Sequence, residues 1–142
     1  MNHDDYDESY AIDILRNVKT IALVGASSNE ARASHGVMKF LISKNYNVVP
    51  VNPGLVGETL LGQKVYASLS EIPGHVDMVD IFRNSEAAGI VTDEALALSD
   101  RPTVIWMQLG VRHDAAAARA EAAGLKVVMN RCPKIEIAQH QL

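Results

Sequence analysis

The sequence is poor in cysteine, in long apolar runs and in positive charge, and each shortage excludes a class of protein. Cys132 is the single cysteine of 142 residues, which rules out an internal disulfide and a C-x-x-C zinc site, so we expect a reducing compartment and no structural metal. No apolar run approaches the roughly 18 residues of a membrane span. Residues 1–9 are acidic rather than a basic leader. These absences predict a cytoplasmic protein that does not contact a membrane.

Positive charge is scarce: 13 Lys and Arg residues stand against 17 Asp and Glu residues, for a formal net charge of -4. Nucleic-acid binding depends on clustered cations that release counterions, and the sequence has no such cluster. We therefore expect no nucleic-acid partner. Any anion site must be local, built from backbone donors and a few cations, which favours a small-molecule ligand.

The fingerprint of a nicotinamide or flavin site is also missing. Such a site needs G-x-G-x-x-G at the start of a helix and an acidic residue roughly 20 residues further on. Here only Gly25 fits, and no carboxylate lies between Asn45 and Leu55. An NAD(P)-type oxidoreductase or accessory subunit is therefore the alternative function rather than the first.

The sequence does contain an apolar strand that ends in a glycine and two hydroxyl residues. Continuous apolar residues within Thr20–Val24 predict a strand buried on both faces of a parallel sheet. Gly25–Ser28 then has the composition of a loop that cradles phosphate. Ser34 precedes the amphipathic stretch Val37–Ile42, so we expect it to cap a helix whose free N–H groups bind an anion. The gap between glycine and cap leaves room for a bulky phosphate ligand, with which Arg32 can pair.

The rest of the chain alternates between apolar strands and amphipathic helices. Further strands are predicted at Asn47–Val51, Val76–Phe82, Thr103–Met107 and Lys126–Met129, and helices at Tyr10–Val18, Gly36–Lys44, Asp114–Ala123 and from the expected cap Ser85 to Leu98. This order predicts one α/β domain over residues 1–142, frayed over residues 1–9. We expect a Rossmann-like, doubly wound, mainly parallel sheet of about five strands with helices on both faces. The ligand crevice of such a sheet lies beyond the carboxyl ends of its strands.

The segments at these strand ends resemble the coenzyme A-binding domain family, small stand-alone relatives of the nucleotide-binding domain of the succinyl-CoA synthetase alpha subunit. The likeness extends over Asp13–Glu136. The matching segments are IALVGAS (Ile21–Ser27), VMKFL (Val37–Leu41), VVPVNP (Val48–Pro53), VDMVDIFRNSEAA (Val76–Ala88), WMQLGV (Trp106–Val111) and NRCPKIE (Asn130–Glu136). The resemblance implies a domain that binds coenzyme A, with the pyrophosphate on the first loop and the adenosine near the turn after strand two.

The first loop and the resemblance together define a set of expected coenzyme A contacts. The expected residues are Gly25, Ala26, Ser27, Ser28, Arg32, Ser34, Lys39, Val51, Asn52, Pro53, Phe82, Arg83, Asn130 and Cys132. Gly54 departs from the family, because a basic residue often stands there and would contact the 3′-phosphate. The synthetase also needs a phosphorylated histidine from another domain and a nucleotide-grasping subunit, which this chain lacks. The resemblance therefore implies a non-catalytic module that binds coenzyme A or an acyl-CoA, with a protein partner or homodimer left open.

Several of these residues have a structural alternative. Lys39 can lie on the solvent face of its helix, and Arg83 can pair with Glu86 in the next helical turn. His35 and His113 lie near predicted helix starts, where we expect them to be exposed or to act as caps rather than as acid–base groups.

Cys132 also has two interpretations. It is either a small buried hydrophobe or, with Arg131 beside it and the thiol of a bound ligand nearby, a residue that exchanges with coenzyme A disulfide. A separate expectation concerns Gly25: Gly25→Val should block the approach of the backbone to phosphate while the fold largely survives.

Two other classes of function are alternatives. A phosphate-receiver domain is disfavoured because strand one ends in glycine rather than in acidic residues. Asp80, in the third strand, is then expected to face the crevice or to hydrogen-bond to a neighbouring loop. A pure interaction protein remains open, and failure to bind any nucleotide would favour it.

Overall fold

Five apolar segments pair into one parallel sheet. The computed structural model describes residues 1–142. The sheet strands are β1 (Thr20–Val24), β2 (Asn47–Val51), β5 (Met78–Ile81), β6 (Val104–Met107) and β7 (Lys126–Val128), and β3 (Thr59–Leu60) and β4 (Gln63–Lys64) form a separate antiparallel pair. The spatial order is β2-β1-β5-β6-β7, and every neighbouring pair is parallel. The predicted fold class is confirmed.

Helices cover both faces of the sheet. They are α1 (Glu8–Asn17), α2 (Ala33–Ser43), α3 (Ser85–Ala97), α4 (Asp114–Ala122) and α5 (Pro133–His140). The helices α1, α2 and α5 pack on one face, and α3 and α4 on the other. Because strand side chains alternate between the faces, each face has its own apolar core. The longest helix has 13 residues, and none has the length and apolarity to cross a membrane.

The order of the strands determines where a ligand can bind. From β1 the chain moves outward to β2 and then returns to β5 on the opposite side of β1. Parallel sheets open a crevice at such a reversal, beyond the carboxyl ends of the two strands that flank it. Gly25 follows β1 and Phe82 follows β5, so the loops that begin at these residues border the crevice.

The start of α2 differs from the prediction. Ser34 does not cap the helix, because the backbone is already helical at Ala33, and Ser34 is a buried residue of the first turn. Arg32 occupies the N-cap position, and its side chain forms no capping hydrogen bond. The cap of α3 is also one residue earlier than expected: Asn84 Oδ1 accepts the N–H of Ala87 at 2.8 Å.

Both ends of the chain differ from expectation as well. Residues 1–7 are irregular but not free, because the Tyr6 hydroxyl accepts the N–H of Met129 at 2.8 Å and a ring nitrogen of His3 lies 2.7 Å from a carboxylate oxygen of Glu121. These contacts hold the N-terminal segment, which we expected to be frayed, against the fold. The helix α5 was not predicted, although Pro133 in its first turn is a typical helix-start signal.

Candidate ligand-binding crevice

Gly25 allows the ends of β1 and β5 to come close together. Its φ is +93°, and a Cβ at this position would lie 2.7 Å from the carbonyl oxygen of Phe82. The N–H groups of Gly25 and Ala26 both donate to the carbonyl of Val51, at 3.0 and 3.3 Å. The expectation that Gly25→Val leaves the fold largely intact is therefore wrong, because any larger side chain would strain the backbone and collide with the end of β5.

The backbone N–H groups that lack a protein acceptor follow Ala26 in the same loop. The N–H groups of Ser27 and Ser28 donate to no protein acceptor, whereas the next N–H, of Asn29, donates to the Ser27 hydroxyl at 3.1 Å. The first N–H groups of α2, at Ala33 and Ser34, also lack an acceptor, because no side chain caps this helix. Such unpaired donors at a helix start favour an anion.

His35 supports this loop from within the first turn of α2. It is buried, and its Nδ1 lies 3.0 Å from the carbonyl oxygen of Ser27, which is consistent with an Nδ1–H donor. His35 is therefore neither exposed nor a helix cap. The prediction for His113 is confirmed, since its Nδ1 accepts the N–H of Ala116 at 3.0 Å and caps α4.

A cavity of about 310 Å³, which we call the β2-side cavity, lies beside the ends of β1 and β2. Its lining includes the predicted residues Gly25, Val51, Asn52, Pro53 and Arg83. The Asn52 side chain joins the two loops, because its amide nitrogen donates to the Ala26 carbonyl at 2.7 Å and its oxygen accepts the N–H of Gly54 at 2.8 Å.

Arg83 and Glu94 are the charged residues of this cavity. Arg83 is exposed and forms no ion pair, so its proposed pairing with Glu86 is not formed in the structure. Glu94 was not predicted as a site residue, because no motif marks it and α3 brings it to the cavity from a distant part of the chain. The cavity therefore contains one unpaired cation and one carboxylate.

A second cavity, of about 520 Å³, lies on the α2 and α5 side of the crevice, and we call it the β6-side cavity. Apolar residues dominate its lining, among them Phe82, Leu109 and Cys132. Arg83 lines this cavity as well as the β2-side cavity, so the two adjoin. Gln108 is 7% exposed, and its Oε1 is buried without a hydrogen-bond donor. Gln108 belongs to the WMQLGV segment at a predicted strand end, but it was not among the expected contact residues.

Cys132 is 6% exposed and belongs to the apolar core beside α5. The structure therefore confirms its burial, while its exchange with coenzyme A disulfide stays a prediction.

Seven of the expected contact residues line neither cavity, namely Ala26, Ser27, Ser28, Arg32, Ser34, Lys39 and Asn130. Arg32 and Lys39 are exposed at the start and in the middle of α2, and neither forms an ion pair. Asn130 has a φ of +58°, and its Oδ1 accepts the N–H of Gly110 at 2.7 Å. The Asn130 side chain therefore holds the loop after β6 rather than facing a cavity.

Asp80 lies in the middle of β5, between Leu23 of β1 and Trp106 of β6. It is fully buried, and neither carboxylate oxygen has a hydrogen-bond partner. Both expectations for this residue, a position facing the crevice or a bond to a loop, are wrong. Burial raises the pKa of the Asp80 carboxyl well above its usual value. A receiver site needs an accessible carboxylate, which this position does not provide.

Known proteins similar to this chain support the resemblance found in the strand-end segments. The chain is 38% identical over 123 residues to the uncharacterized protein YneT of Bacillus subtilis (strain 168), covering 87% of this chain and 88% of the relative. It is 26% identical over 76 residues to the ADP-forming acetate–CoA ligase of Methanocaldococcus jannaschii, covering 54% of this chain and 10% of the enzyme. The fold matches a hypothetical protein from Pyrococcus horikoshii OT3 with a TM-score of 0.88 at 34% identity, covering 96% of this chain and 93% of that one. The family model for the CoA binding domain matches residues 19–138, and the chain therefore belongs to the CoA-binding domain family.

Proposed function

We propose that this protein binds coenzyme A along the crevice at the carboxyl edge of its sheet, with the pyrophosphate on the loop after β1. The observation that carries the proposal is the pair of unpaired N–H groups at Ser27 and Ser28, beside the uncapped start of α2. A diphosphate supplies the acceptors that these donors lack, and the helix dipole favours its charge. Gly25 and Ala26 direct the loop through their bonds to Val51 rather than donating to the ligand.

The two cavities suit the two ends of the same ligand. The β2-side cavity, next to Val51, Asn52 and Pro53, would take the adenosine, and the β6-side cavity would take the pantetheine arm. Arg83 lines both cavities, so its guanidinium can reach phosphates between them. The proposed role is binding alone, with no reaction assigned to this chain.

An NAD(P)-type nucleotide is a second candidate ligand, because Glu94 lines the β2-side cavity. A carboxylate beside the end of β2 can accept hydrogen bonds from ribose hydroxyls, as acidic residues do in NAD sites. The first loop still lacks the remaining glycines of that fingerprint, so coenzyme A is the preferred ligand.

Thermal unfolding with added ligand distinguishes the two candidates. With a micromolar dissociation constant, which corresponds to about -8 kcal/mol, coenzyme A at about 100 times that concentration should stabilise the fold by about 2.7 kcal/mol. NAD at the same concentration should give a much smaller shift. Equal shifts from the two ligands, or none from either, would contradict the proposal.

Site variants then locate the bound phosphates. Ser28→Asp places a carboxylate beside the proposed diphosphate, where repulsion of about 1–4 kcal/mol at about 4 Å should weaken binding about fivefold or more. Ser99→Asp, at an exposed bend after α3, makes the same change outside the crevice and should not alter the affinity. If both variants bind coenzyme A equally well, the phosphates lie elsewhere.

A further inference from the structure

We propose that the preferred ligand is an acyl-CoA with an aliphatic acyl chain, and that the chain binds in the β6-side cavity. This inference rests on the proposed function. It adds that free coenzyme A leaves part of the apolar site unfilled, so the acylated form binds more tightly.

The lining of the β6-side cavity carries the first step of the argument. Val37, Phe82 and Val111 form apolar walls, and Leu109 and Ile135 leave 53% and 44% of their surface in solvent. Apolar side chains grouped around a concave site are typical of a place where an apolar ligand group is buried. Each methylene that leaves water contributes about fourfold in affinity.

Gln108 carries the second step. Its Oε1 is buried and accepts no hydrogen bond from the protein. The residue is 7% exposed and lines the cavity. Buried amide oxygens are normally hydrogen-bonded, and an N–H of a ligand in the adjoining cavity would supply the partner that Gln108 lacks. The pantetheine arm carries amide N–H groups next to its thioester end. An acyl-CoA places such an amide beside an aliphatic chain. The amide N–H can then donate to Gln108 while the chain packs against the apolar walls.

The position of the two cavities carries the third step. Arg83 lines both, and the Phe82 carbonyl packs against Gly25 at the start of the phosphate loop. A nucleotide bound in the β2-side cavity can therefore extend past Arg83 into the apolar cavity without crossing another element. The end of the ligand that arrives there is its thiol or thioester end.

Calorimetric titration with coenzyme A and with hexanoyl-CoA tests this inference. We expect hexanoyl-CoA to bind at least about tenfold more tightly, because several methylenes leave water. Binding of neither ligand would overturn the proposed function itself. Equal affinities, or a preference for the charged succinyl-CoA, would retain that function and overturn the inference.

A cavity-filling variant provides the structural control. Gly36 lines the β6-side cavity within α2, and a Cβ there would meet nothing within 4 Å, so we expect the ring of Gly36→Phe to occupy the cavity. This variant should lose the preference for hexanoyl-CoA over coenzyme A. Ala97→Phe adds the same ring at the exposed end of α3 and should keep the preference. A preference that survives in Gly36→Phe would place the acyl chain elsewhere.

Gln108→Leu separates a ligand contact from a structural role. The variant should fold at least as stably as the parent, because it removes a buried unpaired oxygen, and should bind both ligands about twofold to tenfold more weakly. Unchanged affinity for both would contradict the contact. Analytical sedimentation at the titration concentrations measures the oligomeric state. If the protein is a dimer that closes the cavity and binds the two ligands equally, the apolar rim is a contact with a second copy of the chain and the inference is overturned.

Discussion

At the scale of single residues, Asp80 is the least expected feature of the core. Its carboxyl group is fully buried between two strands and has no hydrogen-bond partner, so the ionised form would be severely destabilised. Burial raises its pKa well above the usual value, so the native fold favours the neutral form of the group. The residue therefore makes the stability of the fold depend on pH.

The sign of this dependence follows from proton binding. Between the unfolded pKa, about 3.9, and the raised pKa of the native state, the native state binds one proton that the unfolded state has released. The free energy of unfolding should therefore fall as pH rises through this range, by about 1.4 kcal/mol per pH unit from this group.

Asp80→Asn should remove that slope, because the amide does not titrate. Urea unfolding at a series of pH values would measure the slope in the parent and in the variant. Asp13→Asn, at an exposed position of α1, is the matched control and should retain the parent slope. Parallel curves for the parent and Asp80→Asn would contradict the prediction.

At the scale of elements, helix α1 covers the edge strand β7 through the side chain of Tyr10. The Tyr10 hydroxyl donates to the carbonyl of Val127 at 3.0 Å and also lies 3.1 Å from the N–H of the same residue, which it accepts. Burial raises the pKa of Tyr10 to about 12, so the hydroxyl keeps its proton at neutral pH. An unpaired edge strand is a site for pairing with another chain, and this contact covers it.

Tyr10→Phe should lower the free energy of unfolding by about 1–3 kcal/mol, because both polar groups of Val127 lose their partner. Chemical denaturation would measure the change. Tyr66→Phe is the control, since that ring lies under the Lys64 ammonium at 5.3 Å and its hydroxyl has no protein partner. A loss no larger than that of the control would mean that the hydroxyl does not stabilise the edge.

At the scale of the whole molecule, the sheet could be predicted more completely than the site. Apolar-rich segments identified all five parallel strands, and the first of them shows the continuous apolar pattern of a strand buried on both faces. The apolar pattern does not indicate the start of α2, because this helix begins without a capping side chain rather than at a cap formed by Ser34. Glu94 escaped prediction for a different reason, because it reaches a cavity only through the packing of α3, an element distant in sequence. Gln108 directly follows the predicted strand Thr103–Met107, but a polar residue at a strand end can equally belong to an ordinary surface loop.

The charges of the crevice lead to a prediction about the ligand as a whole. The lining of the β2-side cavity contains Arg83 and Glu94 but no lysine, and Gly54 occupies the position where the family often has a basic residue. The 3′-phosphate of coenzyme A should therefore gain little attraction, because the Glu94 carboxylate opposes the Arg83 guanidinium.

Coenzyme A and dephospho-coenzyme A should accordingly bind with affinities within about threefold of each other, a difference of less than about 1 kcal/mol. Glu94→Gln should shift the ratio towards coenzyme A by removing the repulsion, whereas Asp93→Asn, one residue earlier on α3 and paired with Arg119 at 2.9 Å, should leave the ratio unchanged. Competitive titration of the two ligands measures these ratios. A parent protein that prefers coenzyme A more than tenfold would contradict the prediction, because it would require a cation for the 3′-phosphate beyond those that line the cavity.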